Sequence, residues 1–213
     1  MATLPAVEYV AFAQRLSRSE YVAKRFYSYF NNNLLDVGCY KAPLRSILKE
    51  ISYTGIDFVG NPDIKIDLER AENLPFESNA FNTVICIEVL EHLDNLHAMF
   101  DELVRVSSRY VIVSLPNCWR DARIKVERGQ GGFAHYGLPI EPPKDRHKWF
   151  FNVEQAMAFL SGQAVNHGLK NVEMFTTEKP KKKLLRGLRK FRYPGFRYLN
   201  RYSNTLWAVF EKV

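Results

Sequence analysis

Short apolar runs that resemble β-strands alternate with helical segments along most of this 213-residue chain, and this alternation constrains its fold more than any other feature. Such an alternation is typical of a parallel sheet with helices packed on both faces. The predicted strands cover residues 34–38, 53–57, 64–67, 81–87, 110–115, 172–176 and 205–211. The sequence therefore predicts an α/β fold with a doubly wound sheet, and the length suits one domain with a large core.

Acidic residues and a glycine stand where the first four strands end. Asp36 and Gly38 end the first strand, and Asp57 ends the second. Asp67 ends the third strand, and Glu88 follows the fourth. Ligands of doubly wound sheets lie beyond the carboxyl ends of the strands. An acid about twenty residues after the first strand fits hydrogen bonds to the two hydroxyls of a ribose, which is the role predicted for Asp57.

The chain is predicted to divide into a short leading segment and one main domain. Residues 1–32 are expected to form an N-terminal helical extension, and residues 33–213 the main domain. Within that domain, residues 117–150 are rich in glycine and proline and are predicted to be a long loop. Loops of that length inside a compact domain are usually functional. A basic insert, residues 179–202, precedes the last strand.

Positive charge is concentrated in the basic insert. Residues 179–201 contain ten lysines and arginines and no acid, whereas the whole chain has a net charge of +7, so the rest of the chain carries a net charge of −3. One segment is therefore expected to meet an anionic partner. A purely solvated loop would not need the aromatic residues found among these charges, which are Phe191, Tyr193, Phe196, Tyr198 and Tyr202.

Several classes of protein are excluded by what the sequence lacks. No apolar run approaches the roughly 18 residues that a membrane span needs. The first residues have no basic segment ahead of an apolar stretch, so a cleaved secretory signal is not expected. Three widely spaced cysteines, Cys39, Cys86 and Cys118, form neither a disulfide framework nor a zinc-binding pattern. The expected compartment is the reducing cytoplasm.

Five segments follow one another in the order and spacing of a known enzyme family. They are LLDVGC at residues 34–39, YTGIDF at 53–58, DLERAENLPF at 67–76, FNTVICIEVLEHL at 81–93 and YVIVSLPN at 110–117. On these segments, the chain resembles a class I S-adenosylmethionine-dependent methyltransferase of the type 11-like family. The resemblance implies a Rossmann-like, doubly wound, seven-stranded and mostly parallel sheet with a final antiparallel strand. It also makes residues 33–213 the methyltransferase domain.

The resemblance implies S-adenosylmethionine as the cofactor and S-adenosylhomocysteine as its product. Asp36 and Gly38 would border the methionine part, with the Gly38 backbone near its amino and carboxyl groups. Asp57 would bind the ribose. Asp67 would accept a hydrogen bond from the adenine amino group, with the Leu68 backbone beside the ring. The implied cofactor site is completed by Cys39, Phe58 and, beside the reactive end of the cofactor, Ile87 and Glu88.

The glycine-rich turn after the first strand departs from the family pattern. That pattern runs D-x-G-x-G-x-G, whereas Tyr40 and Ala42 occupy the two later glycine positions here, followed by Pro43. The glycines of a nicotinamide-dinucleotide fingerprint are missing as well, which excludes a dehydrogenase. The departure keeps one further hypothesis open, a protein that retains the fold and binds the cofactor without catalysis.

Methyl transfer to a hydroxyl or an amine is helped by a general base, typically by a factor of about 10² to 10⁴. Candidates for this catalytic role are Glu91 and His92, which follow the fourth strand, and His135 and His147, which lie in the long loop. His147 belongs to a polar and aromatic stretch, DRHKWFF, and His135 follows a Gly-Gly pair as a lid residue would. No metal site is expected.

The predicted reaction is transfer of a methyl group to an oxygen or nitrogen of a small-molecule, glycan or lipid-linked acceptor. In this interpretation residues 179–201 contact an anionic membrane or an anionic substrate. In the membrane case the enzyme is cytoplasmic and peripheral to the inner membrane face. Four apolar side chains lie among the basic residues at the near-helical spacing of an interfacial helix: Leu184, Leu185, Leu188 and Phe191. The alternative is an RNA methyltransferase whose basic insert holds the RNA backbone while aromatic side chains stack on bases.

Overall fold

A computed structural model describes residues 3–132, 135–143 and 145–213 of the chain. The strands in these ranges are β1 (Ala6–Tyr9), β2 (Asn33–Val37), β3 (Ser52–Asp57), β4 (Ile64–Lys65), β5 (Phe81–Ile87), β6 (Ser107–Pro116), β7 (Leu169–Glu178) and β8 (Thr205–Lys212). They form one sheet in the order β1-β7-β8-β6-β5-β2-β3-β4. Neighbouring strands are parallel except that β8 runs antiparallel to both β6 and β7.

This topology confirms the predicted Rossmann-like, mostly parallel sheet with a final antiparallel strand. The strand number is corrected from seven to eight, counted over the described residues, because β1 lies in a segment for which only helices were predicted. β1 has four residues and pairs with one neighbour, β7, at the edge of the sheet. So short an edge strand has no apolar run that would distinguish it in the sequence. The division of the chain at residue 33 stays a prediction.

The helices are α1 (Arg15–Arg25), α2 (Pro43–Ile47), α3 (Leu96–Val106), α4 (Cys118–Arg128), α5 (Val153–Asn166), α6 (Lys183–Arg192) and α7 (Phe196–Tyr202). Helix α4 occupies the first part of the segment predicted as a long loop, residues 117–150. It begins at the Asn117 side chain, which accepts a hydrogen bond from the Arg120 amide, and ends at Gly129, whose φ is +62°. Among the described residues, no helix has the length and apolar character that crossing a membrane requires.

Alternate residues of each strand point to opposite sides of the sheet, and both sides carry apolar residues. Helices therefore cover both faces. In β8, Phe210 packs in a core cluster with residues of α3 and α5. Its neighbour Val209, like Trp207, packs in the opposite cluster with residues of α1 and α2. The Trp207 ring lies 5.6 Å from that of Phe26 and holds the end of α1 against the sheet. This arrangement places the start of α1 near the carboxyl ends of the central strands.

Candidate active site

The residues predicted to bind the cofactor gather at the carboxyl edge of the sheet. β2 lies between β3 and β5, so Asp36, Asp57 and Glu88 end neighbouring strands or directly follow them. Asp36 and Asp57 are buried, Glu88 is half-buried and Asp67 is exposed. Of the other residues predicted to bind the cofactor, Cys39 and Leu68 are buried, Gly38 and Ile87 are half-buried, and Phe58 is exposed.

The turn between β2 and α2 keeps a left-handed backbone at all three glycine positions of the family pattern. The φ angles are +80° at Gly38, +51° at Tyr40 and +48° at Ala42. A left-handed conformation is natural for glycine and costs other residues roughly 1–2 kcal/mol. A Cβ atom on Gly38 would lie 2.3 Å from a methyl carbon of Val89, so only glycine fits there. The turn therefore has the conformation expected of a glycine-rich loop although two of its residues carry side chains.

The Asp57 carboxylate joins the end of β3 to this turn. One of its oxygens accepts a hydrogen bond from the Tyr40 amide at 2.8 Å, and the other accepts from the Val59 amide at 3.0 Å. A carboxylate has about four lone-pair positions, so both oxygens retain capacity for further donors. The residues present thus fit the predicted ribose contact, because two adjacent hydroxyls need two oriented acceptors.

Two arginines of α1 complete the polar groups beside Gly38, and sequence reasoning did not single them out. Arg15 and Arg18 line a cavity of about 30 Å³ together with Asp36, Gly38 and other residues. Arg18 forms an ion pair with Glu88, which also accepts a hydrogen bond from Thr205 at 2.9 Å. The sequence carries no local signal for this role, because the arginines precede the first predicted strand and reach the site only through the packing of α1.

Asp36 lies beneath this cavity as a buried acid. One of its oxygens accepts a hydrogen bond from the Tyr53 hydroxyl at 2.7 Å. Burial raises the pKa of Asp36 to about 6, although the hydrogen bond from Tyr53 and the nearby arginines lower it. At the other end of the site, an Asp67 oxygen accepts from the Glu69 amide at 3.1 Å, and the Leu68 carbonyl accepts from Asn95 at 3.0 Å.

Three histidines predicted as catalytic candidates come together in one cluster, called the histidine cluster below: His92, His135 and His147. One ring nitrogen of each lies within 4.8 Å of those of the other two. The rings of His135 and His147 are stacked with centres 4.6 Å apart, and the His92 ring stands edge-on to His147 at 4.5 Å. Burial lowers the pKa of His92, and burial with two neighbouring histidines lowers that of His147 to about 4. Their catalytic roles stay predictions.

Glu91, the other predicted base, is a buried acid beside this cluster. Only 1% of its surface is exposed, and burial raises its pKa to about 8. One carboxyl oxygen, Oε1, lies 3.8 Å from His92 Nε2. The other, Oε2, is buried and has no hydrogen-bond partner among the described residues. Nothing in the sequence indicated that this carboxyl group would be both buried and unpaired.

Comparison with known proteins agrees with this fold. The methyltransferase domain family matches residues 9–172. Sterol 24-C-methyltransferase from Schizosaccharomyces pombe is 31% identical over a region that covers 45% of this chain. The region amounts to 30% of the sterol methyltransferase, so the chain corresponds to less than a third of that protein.

Solved structures with a similar fold include three methyltransferases. The small RNA methyltransferase HEN1 has a TM-score of 0.59 at 20% identity, covering 96% of this chain and 26% of HEN1. A SAM-dependent methyltransferase from Archaeoglobus fulgidus has a TM-score of 0.59 at 17% identity, covering 94% and 96% of the two chains. Magnesium protoporphyrin IX methyltransferase from Synechocystis PCC 6803, solved with bound SAH, has a TM-score of 0.54 at 17% identity, covering 95% and 89%.

These likenesses establish the fold, and the family match covers well over half of the sequence. The mostly parallel sheet with a final antiparallel strand is the architecture that the sequence resemblance implied. S-adenosylmethionine is the cofactor that the sequence resemblance implies. The chain belongs to the methyltransferase domain family and has the fold of class I S-adenosylmethionine-dependent methyltransferases.

Proposed function

We propose that this methyltransferase methylates an oxygen or nitrogen of a lipid-linked acceptor at an anionic membrane surface. S-adenosylmethionine supplies a methyl group on a positively charged sulfur, which is already a good leaving group. The protein's main task is therefore to hold donor and acceptor at reacting distance in a site that excludes water. The orientation of α6 is the observation that supports this acceptor class over the others.

Helix α6 turns part of its basic side toward the protein. The Arg186 guanidinium lies 3.7 Å from the centre of the Tyr9 ring, and that of Arg189 lies 4.4 Å from the Tyr202 ring. Arg189 also lies 4.0 Å from the buried Glu178 carboxylate. These cation–π and ionic contacts fix the helix in rotation about its axis.

The apolar side of α6 faces away from the protein. Leu184, Leu188 and Phe191 are 77%, 59% and 89% exposed, and their spacing of four and three residues places them on one stripe. A surface helix ordinarily packs its apolar stripe against the core, so this orientation is the reverse of the usual one. An exposed apolar stripe next to lysines fits insertion into the headgroup region of an anionic bilayer, where each basic residue adds about 1 kcal/mol.

A cavity between α4 and α7 supports a lipid-linked acceptor. Its volume is about 420 Å³, which is within the roughly 300–1,000 Å³ of ligand pockets. Its lining combines apolar side chains with three arginines, an acid and an amide: Trp119, Ala122, Val126, Phe150, Tyr193, Arg123, Arg197, Arg201, Glu127 and Asn200. Glu127 pairs with Arg123 at 2.9 Å and with Arg201 at 3.3 Å. The apolar lining together with Arg197, which has no ion pair among the described residues, suits a molecule with an apolar part and an anionic group.

The cavity adjoins the histidine cluster. Trp119 lines the cavity, and the preceding Cys118 has its sulfur 4.0 Å from His147 Nδ1. Phe150 lines the cavity too, and its ring lies 5.2 Å from that of Tyr136, whose hydroxyl is 3.0 Å from His147 Nδ1. An acceptor seated in the cavity would thus reach the carboxyl ends of β5 and β6, on the side of the cofactor's reactive end.

On the cofactor side, we assign the contacts residue by residue. Asp57 would accept from the ribose hydroxyls, and Asp67 would accept from the adenine amino group. The Gly38 backbone would pass beside the methionine part. The cavity between Arg18 and Gly38 has room for about one water molecule, which is too little for the methionine part. Arg18 would therefore leave Glu88 when the cofactor binds and would pair with the methionine carboxylate.

Binding to vesicles tests the membrane part of this proposal. Replacement of Leu184, Leu188 and Phe191 by serine is expected to lower the partition onto phosphatidylglycerol vesicles at least tenfold, since each side chain loses apolar burial. The matched control is Val165→Ser on α5, another exposed apolar side chain, which should leave the partition unchanged. Equal partition of the triple variant and the native chain would contradict the proposal.

Transfer of a labelled methyl group tests the acceptor class. The chain is incubated with S-adenosylmethionine labelled in the methyl group and, in separate reactions, with a total lipid extract or total RNA. Label in the lipid fraction is expected, and it should fall in the triple α6 variant. Label in RNA, with retention on RNA that weakens steeply with salt, would establish the RNA alternative instead.

A further inference from the structure

We propose that the histidine cluster binds a divalent first-row transition-metal ion. His92, His135 and His147 each present a ring nitrogen within 4.8 Å of the other two. From that spacing, small side-chain rotations bring three nitrogens to metal bonds of about 2.0–2.1 Å. The cluster lies beyond the carboxyl ends of β5 and β6, which places the ion next to the proposed acceptor cavity.

The first supporting observation is a carboxylate behind the His92 ring. Asp145 Oδ1 lies 2.6 Å from His92 Nδ1, within hydrogen-bond distance, and Asp145 Oδ2 lies 3.7 Å from His135 Nδ1, which is too long for a hydrogen bond. A carboxylate that accepts from Nδ1–H of His92 fixes that ring and its tautomer and leaves the Nε2 lone pair for a metal. Such pairs of carboxylate and histidine are usual in the outer shell of metal sites.

The His147 ring is fixed in the same way as that of His92, but by a different group. The Tyr136 hydroxyl donates to the Trp149 carbonyl at 2.9 Å and lies 3.0 Å from His147 Nδ1. Since the hydroxyl proton is used at Trp149, the hydroxyl oxygen accepts from Nδ1–H of His147. The Nε2 nitrogen of His147 is then unprotonated and has a lone pair for the ion.

The second, independent observation is the unpaired carboxyl oxygen of Glu91. Its Oε2 atom is buried without a hydrogen-bond partner among the described residues, and its Oε1 atom lies 3.8 Å from His92 Nε2. A buried polar atom without a partner is costly and calls for an explanation. An ion bound at His92 Nε2 would supply a partner to that carboxylate. Three imidazoles with one carboxylate form a donor set suited to zinc, iron or cobalt rather than to magnesium or calcium.

Backbone hydrogen bonds hold the segments of the cluster together. The His147 amide donates to the His135 carbonyl at 3.2 Å, and the Lys148 amide donates to the Glu91 carbonyl at 2.8 Å. Lys148 further pairs with Glu69 and Asp94 at 3.0 and 2.8 Å. The site is therefore assembled by the fold itself. A bound ion would hold the acceptor's oxygen atoms. That role rests on the proposed function, but the binding of the metal ion does not depend on it.

Metal titration of the full chain, without a polyhistidine tag, cofactor or acceptor, tests this inference. Co²⁺ is followed by visible absorption and Zn²⁺ by calorimetry. We expect one ion per chain, a loss of affinity of more than 100-fold in His92→Gln and His147→Gln, and a loss of about 10- to 100-fold in Asp145→Asn. The matched control is His167→Gln, because His167 also pairs with a carboxylate, Asp101 at 2.8 Å, but lies outside the cluster.

Circular dichroism shows whether each variant is folded. Asp145 is exposed, so its substitution tests the site even where a histidine variant unfolds. The inference would be overturned if the native chain bound the metal ion no more tightly than Asp145→Asn does. It would also be overturned if His167→Gln lost as much metal affinity as the His92→Gln and His147→Gln variants. Metal binding without methyl transfer to lipid would contradict only the proposed function. Methyl transfer that persists in a chain with no measurable metal binding would contradict only the metal site.

Discussion

The Asp57 carboxylate has two tasks at the edge of the sheet. It accepts backbone hydrogen bonds from the Tyr40 and Val59 amides, which hold the turn after β2 against the end of β3. Its remaining lone pairs are those we assign to the cofactor ribose. The two tasks have different consequences when the side chain is removed, because one belongs to the free protein and the other only to the complex.

We predict that Asp57→Ala lowers the affinity for S-adenosylmethionine by about 100-fold or more, since hydrogen bonds to a charged group contribute about 1.5–3 kcal/mol each. The free energy of unfolding should also fall by about 1–3 kcal/mol, because the Tyr40 amide loses its partner. Calorimetric titration and denaturant unfolding measure the two effects. Asp101→Ala, at an exposed carboxylate of α3, is the control. Unchanged affinity in Asp57→Ala would refute the ribose contact.

At the scale of elements, the turn that connects β2 to α2 is the most constrained backbone of the site. Its left-handed residues allow the Gly38 and Cys39 amides to donate to the Ile56 carbonyl at 2.9 and 3.2 Å. Tyr40 and Ala42 tolerate the same conformation at a cost in energy. Gly38 differs from them because the space for a Cβ atom is filled by Val89.

Gly38→Ala is therefore expected to lower the free energy of unfolding by about 2–5 kcal/mol, of which about 1–2 come from the left-handed φ and about 1–3 from the collision with Val89. In a chain that already carries Val89→Ala, the further change Gly38→Ala should cost only the part that comes from the left-handed φ, about 1–2 kcal/mol. Denaturant unfolding of the three variants measures both parts. If Gly38→Ala costs as much in the Val89→Ala background as in the native one, the collision is not the cause.

The sequence pattern of α6 predicts an apolar stripe, but the orientation of the helix decides whether that stripe faces the core or the solvent. The apolar stripe of Leu184, Leu188 and Phe191 is readable in the sequence, and a surface helix would ordinarily pack such a stripe against the core. The contacts of Arg186 with Tyr9 and of Arg189 with Tyr202 turn the stripe outward instead.

For the whole molecule, the fold buries acids at the edge of the sheet to which we assign the cofactor. Burial raises the pKa of Asp36 from 3.8 to about 6. Between about pH 4 and pH 6 the folded chain retains a proton there that the unfolded chain has lost, so the free energy of unfolding falls as the pH rises. The shift corresponds to about 3 kcal/mol, since each pH unit is worth about 1.36 kcal/mol.

Asp36→Asn should remove this dependence, because an asparagine oxygen still accepts from the Tyr53 hydroxyl without carrying a charge. Denaturant unfolding without cofactor from pH 4 to pH 8 is expected to show equal stability near pH 4. The variant should be more stable by up to about 3 kcal/mol above pH 6. Stability curves of native and variant chains that stay parallel across this range would show that Asp36 has an ordinary pKa.

The sequence by itself determined the central strands, their order in an α/β fold and the acids at their ends. These features depend on local apolar runs and on motifs in which a few neighbouring residues specify both backbone and binding group. Asp57 and Gly38 were identified in this way. The edge strand β1 was not, because its pairing with β7 depends on residues more than 160 positions away.

Only the tertiary structure decided which side of α6 faces outward, how Arg18 reaches Glu88 and that His92, His135 and His147 meet. His92 lies more than 40 residues before His135 and His147, and the backbone hydrogen bonds that bring these segments together have no local signature. The burial of Glu91 likewise follows from the elements packed around it. Contacts of this kind depend on the packing of distant segments, whereas strand and turn preferences are set by neighbouring residues. This is why the strand ends that we assign to the cofactor were readable in the sequence, whereas the meeting of the three histidines was not.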